Sequence, residues 1–170
     1  MSDLTSSTSP ATPVTPVFAH SAVQRVIAAA PALQAAAAAV QAASDLGVPV
    51  NIALVDAAGV LAAFVRMPGA PLHSIDIAID KAYTAASFGL ATGQWHEALA
   101  THSAAVREGI VLRPRFVAFG GGLPIVENGA RIGGIGVSGG SEAQDEIIAR
   151  AGLRALGLEP LAPSSPSTKS

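Results

Sequence analysis

The stretch LPIVENGARIGGIGVSGG, Leu123 to Gly140, decides the fold. Its centre, Asn128-Gly129, is the strongest hairpin signal in the chain, because a two-residue type I′ turn needs positive φ at both central positions. It joins an extended Leu123–Val126 to the segment RIGGIGVSGG. A second hairpin lies upstream: VPVNIALVD (Val48–Asp56) is β-branched and alternating, Ala57-Ala58-Gly59 makes a tight turn, and VLAAFVR (Val60–Arg66) returns. RFVAFG (Arg115–Gly120) is expected as a further strand. Adjacent hairpins build an antiparallel sheet, not a doubly wound parallel one.

Helices are expected around this sheet. Val23, Val26 and Ile27 stand at helical spacing within Ser21–Ala30, and Pro31 suits the first turn of a second helix that reaches Leu46 and stops at Gly47. Ser74 is a candidate N-cap for a helix through Phe88, and Thr92 for one covering Trp95–Thr101. Ser141 and Gln144 stand in the capping-box relation at the start of the last helix, with Gly157 as its stop. The order is helix, helix, hairpin, helix, helix, hairpin, helix, an α/β chain of the α+β type. Residues 1–16 and 160–170 are Ser-, Thr- and Pro-rich tails expected to be disordered, leaving one folded domain over residues 17–159.

Composition excludes several functions. Hydrophobic residues make up 50% of the 170, yet aromatics are only 4%, so the interior is built from small and branched aliphatics with close backbone approaches. With Cys at 0, disulfides and Cys-ligated zinc or iron–sulfur sites are excluded. A net charge of −2 without any basic run argues against nucleic acid. The opening MSDLTSSTSPATPVTP lacks a basic, then apolar, export signal, so a cytoplasmic location is expected. The alanine run Ala35–Val40 is too short to span a bilayer. A mean hydropathy of +0.47 with 13% charged residues suggests apolar surface covered by a second copy, a homo-oligomer.

Several motifs carry chemistry, each beside a plainer reading. Gly134-Ile-Gly-Val-Ser-Gly139 matches G-x-G-x-x-G, but no second parallel strand with an acidic residue follows, which refuses a dinucleotide site. Two readings stand: the N–H groups of Gly139, Gly140 and Ser141 receive an anion, or the glycines let a helix pack close. On the helix after Ser74, Ser74, Lys81 and Thr84 share one face, and Ala78, Ala82 and Ala85 leave room around Lys81 for a ligand. An exposed lysine is the alternative. Asp76 and Asp80, at i, i+4, are a carboxylate pair for a metal or two solvated acids near a helix start, and no metal is assigned to them. Glu142, Asp145 and Glu146 open the last helix. Glu146 pairs with Arg150 by spacing, while Asp145 is either a general base at the glycine turn or a solvated acid. The four histidines, His20, His73, His96 and His102, include no pair at metal-binding spacing on one helix, although a single one can ligate haem iron.

GVPVNIALVDAAGVLAAFVRM, KAYTAASF and GGLPIVENGARIGGIGVSGGSEAQDE resemble the GlcG/HbpS family, also known as the haem-degrading or DUF336 domain, which recurs at the C-terminus of PduO-type corrinoid proteins. With the alanine-rich first helices the resemblance covers about residues 20–158. It implies a profilin-like fold, a five-stranded antiparallel sheet flanked by helices, assembled into symmetric oligomers. Members bind haem or corrinoid, or look like catabolic enzymes, among them 4-hydroxylaminobenzoate lyases that release ammonia. The motif positions map to Arg66 and Met67, to Ser74, Lys81 and Thr84, to Gly121-Gly122-Leu123-Pro124, and to Gln144-Asp145-Glu146. Arg66 and Lys81 beside a helix N-terminus suit a small carboxylate, whereas haem asks for broad apolar walls that an aromatic-poor chain supplies less readily. The leading expectation is therefore a cofactor-free lyase acting on a small aromatic carboxylate such as 4-hydroxylaminobenzoate. Arg66, Ser74, Thr84, Gly139, Gly140 and Ser141 would bind it, with Lys81, Asp145 and Glu146 catalytic. The alternative is a haem- or corrinoid-binding protein without catalysis, its iron ligand His73 or His96.

Overall fold

The computed structural model describes residues 20–158, so the expected tails lie outside the described residues. In chain order the elements are α1 (Ala29–Asp45), β1 (Asn51–Asp56), β2 (Leu61–Arg66) and α2 (Ser74–Phe88), then a 3-10 turn (Thr92–Gln94) and α3 (Trp95–Ala100). They continue through α4 (Ala104–Ile110), β3 (Gly122–Glu127), β4 (Ala130–Ser138) and α5 (Glu142–Ala155). The strands form one antiparallel sheet in the order β2-β1-β4-β3. Both expected hairpins are present. At the second, Asn128 (φ 50°) and Gly129 (φ 76°) supply the two left-handed residues of the turn. At the first, the Asp56 carboxylate accepts from the N–H groups of Ala58 and Val60 at 2.8 and 3.0 Å.

The sheet has four strands among the described residues, not five. The missing strand is RFVAFG. Its backbone is satisfied by a side chain instead of a ladder: the Thr84 hydroxyl donates to the Arg115 carbonyl at 2.9 Å and accepts from Val117 N–H at 3.1 Å. Arg115 itself turns the chain at φ 66°. The first expected helix is also absent. Residues 20–28 are not helical; Ile27 donates to the Ile132 carbonyl at 2.8 Å and is buried, while Val23 and Val26 face solvent. Ser74 is the first residue of α2, not its cap, and Thr92 opens the 3-10 turn with its side chain turned inward. The short helix α4 was not expected. The Ser141–Gln144 capping box is present at α5, and Gly157 follows its end at φ 69°.

Helices cover both faces of the sheet, and the residues allotted to each face differ in size. Ile52, Leu54, Leu123, Ile125, Ile135 and Val137 point toward α1 and α5, where Ile148 and Leu153 meet them. Burying each such side chain contributes roughly 1.5–3 kcal/mol. Across this layer α1 presents an alanine stripe (Ala32, Ala35, Ala36, Ala39, Ala43), and at Gly152 of α5 a Cβ would lie 2.9 Å from the Ala35 carbonyl. The opposite face is floored with Ala53, Val55 and glycines, and α2 lies directly on it. A Cβ at Gly134 would stand 2.3 Å from the Ala82 carbonyl, and one at Gly136 would stand 2.1 Å from that of Ala78. The glycines of the G-x-G-x-x-G stretch are thus a floor for a helix.

Candidate functional site

The close seating of α2 carries Lys81 into the interior, where its side chain is 1% exposed. Its ammonium donates to the Val137 carbonyl of β4 and to Oδ2 of Asp145 on α5, both at 2.8 Å. The Phe119 ring covers it, with the ring centroid 4.9 Å from Nζ. The other oxygen of Asp145, Oδ1, accepts from Gly140 N–H at 3.0 Å. A buried charge is tolerable when paired and hydrogen-bonded; Lys81 is paired with Asp145 and spends two of its three N–H donors, with the Phe119 ring against the ammonium. Burial nevertheless pulls Lys81 below the ordinary lysine pKa, opposed by the Asp145 hydrogen bond and charge and by the more distant Glu142. Gly121 is obligatory beside it. It stands at φ 111°, and a Cβ there would come within 2.7–2.8 Å of Asp145, the Val137 carbonyl and Lys81 Nζ.

Lys81 and Asp145, both expected as catalytic from the resemblance, stand in contact, and the arrangement is a closed pin joining α2, β4, α5 and the 119–121 segment. Neither group has a free face toward solvent. The N–H donors expected to bind an anion are occupied: Gly140 by Asp145, Ser141 by Gln144 Oε1 at 3.0 Å. Gly139 is close-packed, a Cβ there meeting the Pro49 carbonyl at 2.7 Å. Glu146 bonds Arg150 Nε at 3.0 Å, as its spacing foretells. Arg66 is exposed at the end of edge strand β2 and donates to the Ala70 carbonyl at 2.8 Å. It pairs with Asn51, which pairs with Ser138 of β4, so the Arg66 and Ser138 backbones are about 9–10 Å apart across two strand spacings. Arg66 and Lys81 do not form one carboxylate clamp. Ser74 is buried at the start of α2, and Thr84 is spent on the 115–117 segment. Asp76 is exposed and Asp80 binds Arg115, so they make no joint metal site. His73 and His96 are both exposed, and neither ring bonds a protein group among the described residues.

A different concavity is open. A cavity of about 330 Å³ lies between the C-terminal half of α2 and the chain leaving α4, lined by Tyr83, Phe88, Arg113 and Phe116 among others. Phe88 and Phe116 both pack edge-on against Trp95 at 4.8 Å, and the Arg115 guanidinium lies 3.6 Å over the Tyr83 ring. The sequence reading passed over this site. The available signal was Arg113-Pro114-Arg115, two cations flanking a proline in a chain with only 10 Lys and Arg in all. Two more anchors were missed: Gly120 N–H bonds Glu142 at 2.7 Å, and Gly122 N–H bonds the Thr92 hydroxyl at 2.8 Å. Among the described residues no helix is long and apolar enough to cross a membrane, and no three His, Asp or Glu are placed to hold a metal ion.

One antiparallel sheet with helices on both faces, locked by a buried lysine–aspartate pair, defines a small α+β class. The chain belongs to the HbpS-like family: the family model described as haem degrading protein HbpS-like matches residues 27–154. It is 38% identical over 121 residues to the corrinoid adenosyltransferase PduO of Salmonella typhimurium, which is 71% of this chain and 36% of PduO. The chain therefore spans little more than a third of that relative. Among solved structures it is similar to PduOC in complex with haem, with a TM-score of 0.73 and 34% identity over 81% of this chain and 99% of that one. A double mutant of HbpS from Streptomyces reticuli gives a TM-score of 0.74 and 36% identity, covering 87% and 99% of the two chains.

Proposed function

We propose that this protein binds haem, the reading set second by the sequence alone. The observation that carries it is the likeness, over nearly the whole of that domain, to PduOC in its haem complex. The chain's own residues fit such a group. A haem-binding surface needs an axial ligand, apolar contact and a cation for the propionates. His73 and His96 offer imidazoles that no protein group occupies among the described residues. Bound haem would supply an iron centre, and the protein would set its ligand and surroundings.

The lyase expectation loses its support at Lys81 and Asp145. Both are buried and consumed by each other, so neither is poised to move a proton on a ligand. Exposed Val60, Leu72 and Leu112, at 61%, 72% and 81%, favour a symmetric homo-oligomer that covers apolar surface. The test is a haemin titration followed in the Soret band. We expect saturation with a Kd of about 1 μM or tighter, and a shifted band lost in one of His73→Ala or His96→Ala. Absence of saturable binding in the wild-type protein overturns the reading.

A further inference from the structure

We infer that the cleft between α2 and the segment after α4 is a binding site for a flat apolar ring bearing carboxylates, and that it takes the propionate-bearing edge of a tetrapyrrole. The site rests on the haem-binding reading and places the ligand at the end of α2 away from His73, beside Trp95 and the His96 that follows it. Three independent observations meet there.

The cleft is built, not incidental. Arg115 adopts φ 66°, a conformation non-glycine residues rarely hold without compensation. It is held by the Thr84 hydroxyl on its carbonyl, by its own Nε–H on Asp80 Oδ1 at 2.9 Å, and by stacking over Tyr83. The walls are aromatic in a chain with very few aromatics. Phe88 and Phe116 stand edge-to-face at 6.0 Å, both backed by the only tryptophan, and Phe88 is still 50% exposed. A half-bare phenylalanine in a concave wall asks for an apolar cover.

The charge is unbalanced in the same place. The Arg115 guanidinium is neutralised by Asp80, but Arg113 pairs with no carboxylate among the described residues and is exposed at the rim. A free guanidinium beside an aromatic wall selects a planar ligand that ends in a carboxylate. The volume of about 330 Å³ is at the small end of ligand pockets. It accommodates one edge of a tetrapyrrole, or all of a single-ring aromatic acid, and the two are separable.

Haemin and haemin dimethyl ester, which lacks the propionate charges, are titrated into the wild-type protein and into Arg113→Ala and Phe88→Ala. Benzoate is titrated in parallel and followed by Trp95 fluorescence. We expect Arg113→Ala to weaken haemin about tenfold, the size of one lost charge-assisted contact, while leaving the ester unchanged. Phe88→Ala should weaken both. Circular dichroism confirms that the variants fold, which exposed Arg113 makes safe. If wild type binds haemin but both variants bind it equally well, the cleft is overturned and haem binding elsewhere stands. If wild type binds no haemin, the haem reading and the tetrapyrrole edge fall together. A benzoate-induced change at Trp95, lost in Arg113→Ala, would then assign the cleft to single-ring acids.

Discussion

Replacing Asp145 with alanine should cost about 3–5 kcal/mol, the range for removing one partner of a buried ion pair. The structure says why the upper part of the range applies. Lys81 would keep only the Val137 carbonyl and the Phe119 ring, inside a site where its side chain is 1% exposed. Gly140 N–H would also lose its acceptor. For a domain whose total stability lies within about 5–15 kcal/mol, that is a large fraction, and it corresponds to a Tm lowered by roughly 10–20 °C. Lys81→Met should cost a similar amount, because it leaves the Asp145 carboxylate buried with one N–H donor. The decisive measurement is the double variant. If the two charges stabilise mainly by answering each other, removing both should cost about 2–3 kcal/mol less than the sum of the single losses. Urea unfolding of all four proteins, without ligand so that binding does not inflate stability, gives the coupling. Single losses that add to within about 0.5 kcal/mol would refute the pin.

Other perturbations probe separate parts. Gly136→Ala should destabilise by about 3 kcal/mol or prevent folding, since its Cβ would stand 2.1 Å from a helix carbonyl that cannot yield; an unchanged thermal melt would contradict the seating of α2. Gly109→Ala, in α4 with open space around it, should instead stabilise by about 0.5–1 kcal/mol in the same assay. Lys81 has a folded pKa below its unfolded one, so its protonation cost is full at low pH and fades as pH rises from the folded value toward about 10.4. Wild-type stability relative to Lys81→Met should therefore climb with pH in that alkaline window, and a falling difference would show that desolvation is not dominant. Light scattering at micromolar concentration should return an oligomer; a monomer would mean that the exposed Leu72 and Leu112 stay bare.

The hairpins were legible because their signals are local. Asn128-Gly129 can satisfy one turn type cheaply, and Asp56 carries its own turn acceptor. The capping box at Ser141 is local in the same way. What failed depended on partners far along the chain. RFVAFG has the composition of a strand, but Thr84, some thirty residues earlier, takes its hydrogen bonds. Residues 21–28 have helical spacing, yet Ile132 offers Ile27 a sheet carbonyl and wins. Lys81 and Asp145 could be brought together from the motifs, but not their burial. That follows from how closely α2 approaches β4, which is set by two missing Cβ atoms at Gly134 and Gly136.

The same division separates what resemblance transmits from what it leaves open. Two of the three stretches that carry it, Lys81–Phe88 and Gly121 onward to Glu146, contain the glycine floor, the buried pair and the capped helix. These residues close the fold, and a chain that shares them is bound to share the architecture. The segment between those stretches, residues 104–119, supplies α4, Arg113, Arg115 and Phe116, hence one whole wall of the open cleft. Arg115 and Val117 are tied to Thr84, and Phe119 covers Lys81, but residues 104–114 pack lightly: no residue of α4 is buried, and Arg113 touches no partner that the fold requires among the described residues. Changes there alter shape and charge at small cost in stability, whereas changes at the pin alter stability without offering a ligand anything. Ligand choice within this architecture should accordingly vary through residues 104–114. Exchanging that segment for the matching one of a relative should move ligand preference while the melting temperature stays within a few degrees. A collapse of stability on exchange would show that the wall and the core are one unit after all.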